Sequence, residues 1–191
     1  MSADLAERLE TIVRSTPSLM HVLTTVRRLN LPDWLVFSGA VYQPVLNHLT
    51  GRDPDYGIKD YDLGYFDASD TSYEAEDVVI RQVAAAFAPP FQEMVEVRNQ
   101  ARVHLWFEQK FGEPYEPLTS CTQALSRFTS TVFAVGVRLE DDDRLTVHAP
   151  FGLDDLFALR LRPNPSRVTG GFLRTAHAAQ RRWPELSILN A

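Results

Sequence analysis

Residues 57–67 read GIKDYDLGYFD, and the interpretation of the whole chain starts from this stretch. Apolar and acidic residues alternate through it, which is the period-two pattern of a half-buried strand, predicted here from Ile58 to Phe66. Side chains in a strand alternate between its faces, so Asp60 and Asp62 share one face at roughly 6.6 Å spacing. Tyr61 then points into the core.

Two carboxylates at this spacing repel each other unless a cation lies beside them. Hard oxygen ligands suit Mg²⁺ or Mn²⁺, and two such ions ~3.5–4 Å apart can clamp the attacking and leaving oxygens of a nucleotidyl transfer. Asp53/Asp55 and Asp141/Asp143 have the same Asp-x-Asp spacing, but both lie in predicted turns, where aspartate is common. The segment alone is equally compatible with a solvated strand face.

A Ser-Gly turn precedes the acidic strand. The apolar run from Trp34 to Phe37 predicts a buried strand, and Ser38-Gly39 leads from it into a helix from Ala40 to Leu49. The N-terminus of a helix offers unpaired N–H groups that suit a phosphate, and glycine lets a ligand approach the backbone. Ser38 as a simple helix cap is the structural alternative. The combination with the acidic strand favours a phosphate site beside the carboxylates.

A second polar strand is predicted downstream of a helix from Tyr73 to Phe87. Residues from Val95 to Phe107 read as one long strand or a bent pair of strands. If the strand is unbroken, alternation places six residues on one face, namely Glu96, Arg98, Gln100, Arg102, His104 and Trp106. This face is either the solvated side of an antiparallel strand or a wall of the site, with arginines that hold phosphate.

The remaining elements complete a mixed pattern. Amphipathic helices are predicted over 3–14 and 18–29, with short helices near 122–128, from Asp154 to about Arg162, and from 168 to 183. Segments 131–139 and 144–148 predict a hairpin. We therefore expect an α+β fold, a mixed sheet with helices packed on it and a C-terminal tail of hairpin and helices. Residues 1–30 would pack on a core formed by residues 31–191, within one domain overall.

Composition narrows the class of protein. The net charge is −6, so nucleic acid would be repelled overall and no DNA partner is expected. The single cysteine excludes an internal disulfide and a cysteine-only zinc site. The start, MSADLAERLE, lacks the apolar region of a signal peptide, and no apolar run approaches the ~20 residues of a membrane helix. These features predict a cytoplasmic protein without a membrane partner.

Six segments between Leu31 and Leu189 resemble a family of small bacterial nucleotidyltransferase-like proteins of unassigned substrate. They are YGIKDYDLGYFD (56–67), YEAED (73–77), EVRNQARVHLWFEQKFG (96–112), AVGVRLE (134–140), HAPFGLDDLFALRLRPNP (148–165) and WPEL (183–186). The family is similar to the DNA polymerase β superfamily. The resemblance implies the nucleotidyltransferase fold and transfer of a nucleoside monophosphate from a nucleoside triphosphate to an acceptor.

The resemblance also implies roles for particular residues. Asp60 and Asp62 would bind Mg²⁺ or Mn²⁺, and Glu96 is the candidate for the third carboxylate, which the superfamily takes from a neighbouring strand. Ser38 and Gly39 would hold phosphate, with Arg98 or Arg102 beside them. The acceptor implied is a small molecule, a protein side chain or an RNA end, and the acidic net charge disfavours RNA.

The turn departs from the superfamily in two ways. The superfamily usually has Gly-Ser, whereas this chain has Ser38-Gly39 followed by Ala40. Where the superfamily commonly carries an arginine or lysine near the turn, this chain has Tyr42 and Gln43. Two other functions therefore stay open: a non-catalytic binding or regulatory module of the same fold, and a transferase that uses the Asp-x-Asp pair with a nucleotide-sugar.

Overall fold

The computed structural model describes residues 2–167 and 171–189. Its helices are α1 (Ala3–Arg14), α2 (Pro17–Arg27), α3 (Gly39–Leu49), α4 (Tyr73–Ala86), α5 (Phe91–Met94), α6 (His104–Phe111), α7 (Cys121–Leu125), α8 (Asp154–Phe157) and α9 (Phe172–Arg182), with a 3₁₀ helix at Gln100–Arg102. Its strands are β1 (Leu35–Phe37), β2 (Tyr61–Tyr65), β3 (Val95–Asn99), β4 (Gly136–Leu139), β5 (Leu145–His148), β6 (Arg160–Leu161) and β7 (Ser187–Ile188). None of these helices is long and apolar enough to cross a membrane.

A five-stranded mixed sheet in the order β3-β2-β1-β4-β5 forms the centre of the fold. β2 and β3 run parallel, and α4 and α5 make the crossover that a parallel pair requires. The other neighbours are antiparallel, and β4 and β5 form a hairpin. The predicted α+β class and mixed sheet are thus confirmed.

The two faces of the sheet are covered differently. Val36, Leu63, Val97 and Val137 are neighbours across the strands and belong to the main core. The buried side chains of α1 and α2, among them Leu9 and Leu19, belong to the same core. On the opposite face, a smaller cluster of Leu35, Phe37, Cys121 and Leu125 covers part of the sheet. The carboxylate pair described below lies on this second, less covered face.

The predicted strand from Val95 to Phe107 is wrong beyond Asn99. The Asn99 side chain accepts a hydrogen bond from the Ala101 N–H at 3.0 Å and donates one to the Asp67 carbonyl at 2.8 Å. These local hydrogen bonds take the place of further hydrogen bonds between β3 and β2. They start the 3₁₀ helix, which leads into α6. Glu96 and Arg98 share one face of β3, as predicted, whereas Arg102 lies beyond the strand.

Several predicted bounds are also corrected. β2 begins at Tyr61, so Asp60 lies just before the strand. The helix predicted from Asp154 to Arg162 ends at Phe157, because Leu159 takes a positive φ of 54° and the chain continues as β6. The first hairpin strand begins at Gly136 rather than at 131. The last helix begins at Phe172 within the described residues, and positions 168–170 of the predicted helix lie outside them.

Candidate active site

Asp62 and Glu96 are direct neighbours across the parallel strands β2 and β3. Their side chains share the less covered face of the sheet with Phe37, which pairs with Asp62 across β1. Asp62 is partly buried, whereas Glu96 and Asp60 are exposed. The structure therefore brings Asp62 and Glu96 together through strand register, with Asp60 two residues upstream of Asp62.

The surroundings of Asp62 change the pKa of its carboxyl group. Its pKa is raised from 3.8 to about 6, first by burial and then by the negative charges of Asp60 and Glu96. Arg98 acts in the opposite direction and lowers the pKa of Asp62. A carboxylate held next to two others is a group that gains from a bound cation.

The oxygen-only donor set fits a hard cation such as Mg²⁺ or Mn²⁺. As the side chains stand, however, residues 2–167 and 171–189 contain no group of three or more His, Cys, Asp or Glu side chains placed to hold one ion. Asp60 and Glu96 are exposed, so their side chains are the ones with room to rotate toward Asp62. The chemistry of the donors fits a metal, and convergence on one ion requires that rotation.

Ser38 connects β1 to α3 in a strained conformation. Its φ of 56° and ψ of −121° are unusual for a residue other than glycine. Its N–H donates to the Val135 carbonyl at 2.8 Å, and its carbonyl accepts the N–H groups of Val41 and Tyr42 at 2.9 Å each. Its side chain makes no capping hydrogen bond to the helix. The cap interpretation of the Ser38 side chain is therefore not what the structure shows.

Replacement of Ser38 tests the strain directly. Ser38→Gly is expected to give a free energy of unfolding about 1 kcal/mol higher than Ser38→Ala, because only glycine adopts this positive φ without a Cβ clash. Both variants lack the hydroxyl, so the comparison isolates the backbone. Urea unfolding of the two variants measures the difference. Equal stability would show that the turn relaxes in solution.

A large cleft of about 690 Å³ opens beside this turn. We call it the main cleft. Ser38 and Tyr42 line it next to the turn, and five arginines contribute to its lining, Arg98, Arg127, Arg167, Arg174 and Arg182. Aromatic side chains form much of the rest, including Phe37, Trp106, Phe107, Phe111, Tyr115, Phe128 and Phe133. Such a combination of cations and planar apolar surface suits a ligand with both phosphates and an aromatic ring.

The arginines of the main cleft differ in how they are held. Arg167 donates to the Glu113 carboxylate at 2.6 Å and to the Arg127 carbonyl at 2.9 Å. Arg98, Arg127, Arg174 and Arg182 form no ion pair with a carboxylate of residues 2–167 or 171–189. The Arg127 Nε is buried without a hydrogen-bond partner in the same part of the chain. An unpaired buried donor is costly, which favours a ligand that accepts from it.

Arg182 reaches the turn from the far end of the chain. Its Nη1 donates to the Gly57 carbonyl at 3.2 Å, and its guanidinium lies over the Trp183 ring. The pKa of Tyr42 is raised, chiefly by burial, while Arg182 lowers it and Asp62 raises it. The Tyr42 hydroxyl therefore lies within electrostatic range of both. Arg182 supplies a cation near a turn that has none in its own sequence.

Arg102 lies apart from the other predicted site residues. It forms an ion pair with the buried Glu76 and donates to the Thr71 carbonyl at 3.2 Å. Glu76 in turn accepts the Asn99 N–H at 2.8 Å. Arg102 thus joins the end of β3 to α4, and it does not line the main cleft. Ser38 and Arg98 do line it, and Gly39 begins α3 at its edge.

The sequence interpretation did not find the arginines at 127, 167, 174 and 182. They come from irregular segments and from α9, which the chain brings to the turn only through tertiary contacts. One signal was present: α9 carries arginines at its C-terminal end, and the segment 183–186 that follows it is one of the six that resemble the family. The proximity of these arginines to the turn results from tertiary packing, and the spacing of residues in the sequence does not predict it.

A strand, a tight turn and a helix, followed by an acidic strand with a parallel acidic neighbour, define the nucleotidyltransferase fold class. The chain belongs to the nucleotidyltransferase family, whose family model matches residues 24–188. A comparison with curated proteins gives no match.

Solved structures agree with the fold. An NMR structure described as revealing a CCA-adding enzyme head domain is 25% identical, with a TM-score of 0.77, and the match covers 97% of this chain and 96% of that one. A CCA-adding enzyme in complex with CTP is 13% identical, with a TM-score of 0.55 over 95% of this chain and 43% of its own. An apo form of a CCA-adding enzyme is 16% identical, with a TM-score of 0.54. This chain thus spans less than half of those two enzymes.

Proposed function

We propose that this protein is a metal-dependent nucleotidyltransferase that binds a nucleoside triphosphate in the main cleft and transfers the nucleoside monophosphate to an acceptor. The observation that carries the proposal is the register of β2 and β3, which sets Asp62 beside Glu96 next to a cleft lined with arginines. In such a site the carboxylates bind a cation and the arginines bind the phosphates.

The cleft offers separate groups for the two ends of the donor. Arg182 and Ser38, which line the cleft, would hold the phosphates together with the N-terminus of α3 at Gly39. Phe107 and Tyr115, whose ring centroids are 4.4 Å apart, offer a planar surface farther along the cleft for the base. The buried Arg127 Nε is an additional donor for that end of the ligand.

The transfer itself is a displacement at the α-phosphorus. An acceptor hydroxyl oxygen bonds to the α-phosphorus and gives up its proton to water, the bond from this phosphorus to the bridging oxygen breaks, and pyrophosphate leaves. Asp60, Asp62 and Glu96 would hold the metal, which when bound supplies positive charge for the developing negative charge on the phosphate oxygens. Arg98 lies close enough to Asp62 to lower its pKa, and Arg182 close enough to Tyr42 to lower the pKa of that hydroxyl. Both arginines would stabilise the phosphate charges from the protein side.

A nucleoside triphosphate is the donor to test first, because a CCA-adding enzyme of the same fold was solved with CTP. Calorimetry with each of the four triphosphates and Mg²⁺ measures binding by wild-type protein and by Asp62→Asn/Glu96→Gln. We expect metal-dependent binding that is at least about 10-fold weaker in the variant. Glu93→Gln is the control for loss of one nearby carboxylate and is compared with Glu96→Gln alone, since Glu93 is exposed and lies three residues before Glu96.

Three outcomes are informative. Equal loss of affinity in Glu93→Gln would show a general charge effect rather than a site. Absence of triphosphate binding in well-folded protein would favour a non-catalytic module of the same fold. Sugar release from a nucleotide-sugar, without pyrophosphate release from any triphosphate, would favour the transferase that uses the Asp-x-Asp pair differently.

A further inference from the structure

A second cavity, of about 390 Å³, lies next to the main cleft. Its lining comes from α4, the end of β3, the 3₁₀ helix and α6, and includes Tyr73, Glu76, Arg98, Arg102, Trp106 and Lys110. Arg98 and Trp106 line both cavities. The two spaces are therefore neighbours that share one cation and one aromatic ring.

The second cavity carries net positive charge in a protein whose net charge is −6. Its carboxylate, Glu76, is already paired with Arg102. Arg98 and Lys110 form no ion pair with a carboxylate anywhere in residues 2–167 and 171–189. The Lys110 Nζ lies 5.5 Å from the centroid of the Trp106 ring. Two cations that form no direct ion pair favour an anionic ligand, and a phosphate matches them.

Aromatic rings accompany these cations. Tyr73 is 58% exposed, unusually open for a ring of its size, and Trp106 is partly exposed. The Arg102 guanidinium, which pairs with Glu76, lies 5.6 Å from the Tyr73 ring centroid, and both residues line the second cavity. Exposed rings beside cations suit a ligand that has a planar ring as well as a phosphate.

The position of the second cavity relates it to the carboxylates. Arg98 follows Glu96 by two residues on the same strand face, so their Cα atoms are roughly 6.6 Å apart. A ligand with its phosphate on Arg98 can thus extend a hydroxyl toward the Asp62–Glu96 pair. The main cleft is lined by Arg98 and by Phe37, the β1 neighbour of Asp62, so it lies beside the same pair.

We infer that the second cavity binds the acceptor, and that this acceptor is nucleotide-like, with a phosphate on Arg98 and Lys110 and a ring beside Trp106. The inference rests on the proposed function and adds the class of acceptor. The donor triphosphate occupies the main cleft, and Arg98, which lines both spaces, brings the two ligands close to the carboxylates. The acceptor contributes its own hydroxyl oxygen to the new bond, and its phosphate serves only for binding.

The probes are AMP, a 5′-phosphorylated trinucleotide, and adenosine as the control without phosphate. Each is titrated by calorimetry into protein saturated with a non-hydrolysable CTP analogue. Trp106 fluorescence gives a second readout, because Trp34 and Trp183 are buried at 2% and 0% exposure. We expect AMP or the trinucleotide to bind alongside the triphosphate and adenosine to bind at least about 10-fold more weakly.

Lys110→Gln locates the binding site. It should weaken AMP or trinucleotide binding about 10-fold and change binding of the CTP analogue less than about twofold, since Lys110 does not line the main cleft. Gln109→Glu is the matched control, because it makes the same change in net charge at the neighbouring exposed position of α6. It should leave phosphate binding close to that of the wild type.

The outcomes separate this inference from the proposed function. Competition between AMP and the CTP analogue, equal effects of Lys110→Gln and Gln109→Glu, or absence of binding by both phosphorylated probes would overturn the inference. Tighter binding of the trinucleotide than of AMP would support the site with a strand end as the source, and the reverse would support it with a small nucleotide. AMP binding that depends on Lys110 without any triphosphate binding would reject the nucleotidyl transfer and retain the anion site.

Discussion

Asp62→Asn is expected to raise the free energy of unfolding by about 2 kcal/mol at pH 8 in the absence of divalent metal. The folded-state pKa of Asp62 is raised to about 6, through burial and the charges of Asp60 and Glu96. A tenfold change in the proton affinity of a group corresponds to about 1.4 kcal/mol, and partial exposure of the side chain reduces the total. Asparagine keeps the shape of the side chain and removes the repulsion. The same change should abolish metal-dependent triphosphate binding, so one substitution stabilises the protein and inactivates it.

The direction in which the free energy of unfolding changes with pH follows from the proton that Asp62 binds. The folded protein holds a proton on Asp62 up to about pH 6, whereas the unfolded chain releases it near its ordinary value of 3.8. The folded state therefore binds more protons between these values, and the contribution of Asp62 to stability, fully present below pH 3.8, is lost as the pH rises through 6. Urea unfolding from pH 4 to pH 8 in EDTA should show this fall in wild-type protein and a flatter profile in Asp62→Asn.

Asp60→Asn is the comparison for this experiment. Asp60 is exposed and lies before β2, so its replacement should produce a smaller gain than replacement of Asp62. Identical pH profiles for wild-type protein and Asp62→Asn would show that neither burial nor the neighbouring carboxylates raise the pKa of Asp62 in solution. The assignment of Asp62 to a crowded acidic site would then be withdrawn.

Glu76→Ala is expected to lower the free energy of unfolding by about 3–5 kcal/mol. Glu76 is 2% exposed, pairs with Arg102 and accepts the Asn99 N–H at 2.8 Å. Removal of the carboxylate leaves a partly buried guanidinium and a buried N–H without partners, which is the most costly way to break such a pair. Urea unfolding at pH 7 measures the loss.

Two further variants separate the contributions. Glu76→Gln keeps an oxygen that can accept from Asn99, so its loss should be smaller than that of Glu76→Ala. Glu76→Ala/Arg102→Leu removes both charges and should recover part of the stability. A loss below about 1 kcal/mol in Glu76→Ala would contradict the structural role of the pair. Arg102 would then again be a candidate for binding phosphate.

Much of the fold follows from local patterns in the sequence. Alternation around Asp62 predicts β2, the apolar run ending at Phe37 predicts β1, and the turn from β1 into α3 is visible as Ser38-Gly39. The adjacency of Asp62 and Glu96 is different in kind. It depends on the parallel register of two strands separated by α4 and α5, and only the family resemblance pointed to Glu96 before the structure placed it there.

The remaining differences have local or tertiary causes. The end of β3 is set by side-chain hydrogen bonds of Asn99, which compete with the ladder and are not visible as a change in hydrophobic period. Arg102 lies beyond the end of β3, so it is not on the strand face where it was expected. It pairs with Glu76 instead. The cleft arginines at 127 and 182 depend on how irregular segments and α9 pack, which spacing alone does not specify.

The main cleft joins parts of the chain that are far apart in sequence, from Phe37 and Ser38 on one side to Arg174 and Arg182 of α9 on the other. A ligand that contacts both sides must be released before α9 can open locally. Its binding free energy is therefore added to the free energy of that local opening, as for any ligand that binds only the closed state. Amide exchange in α9 should therefore be slower in the liganded protein than in the free protein. The substrate itself would then keep this helix in its closed position.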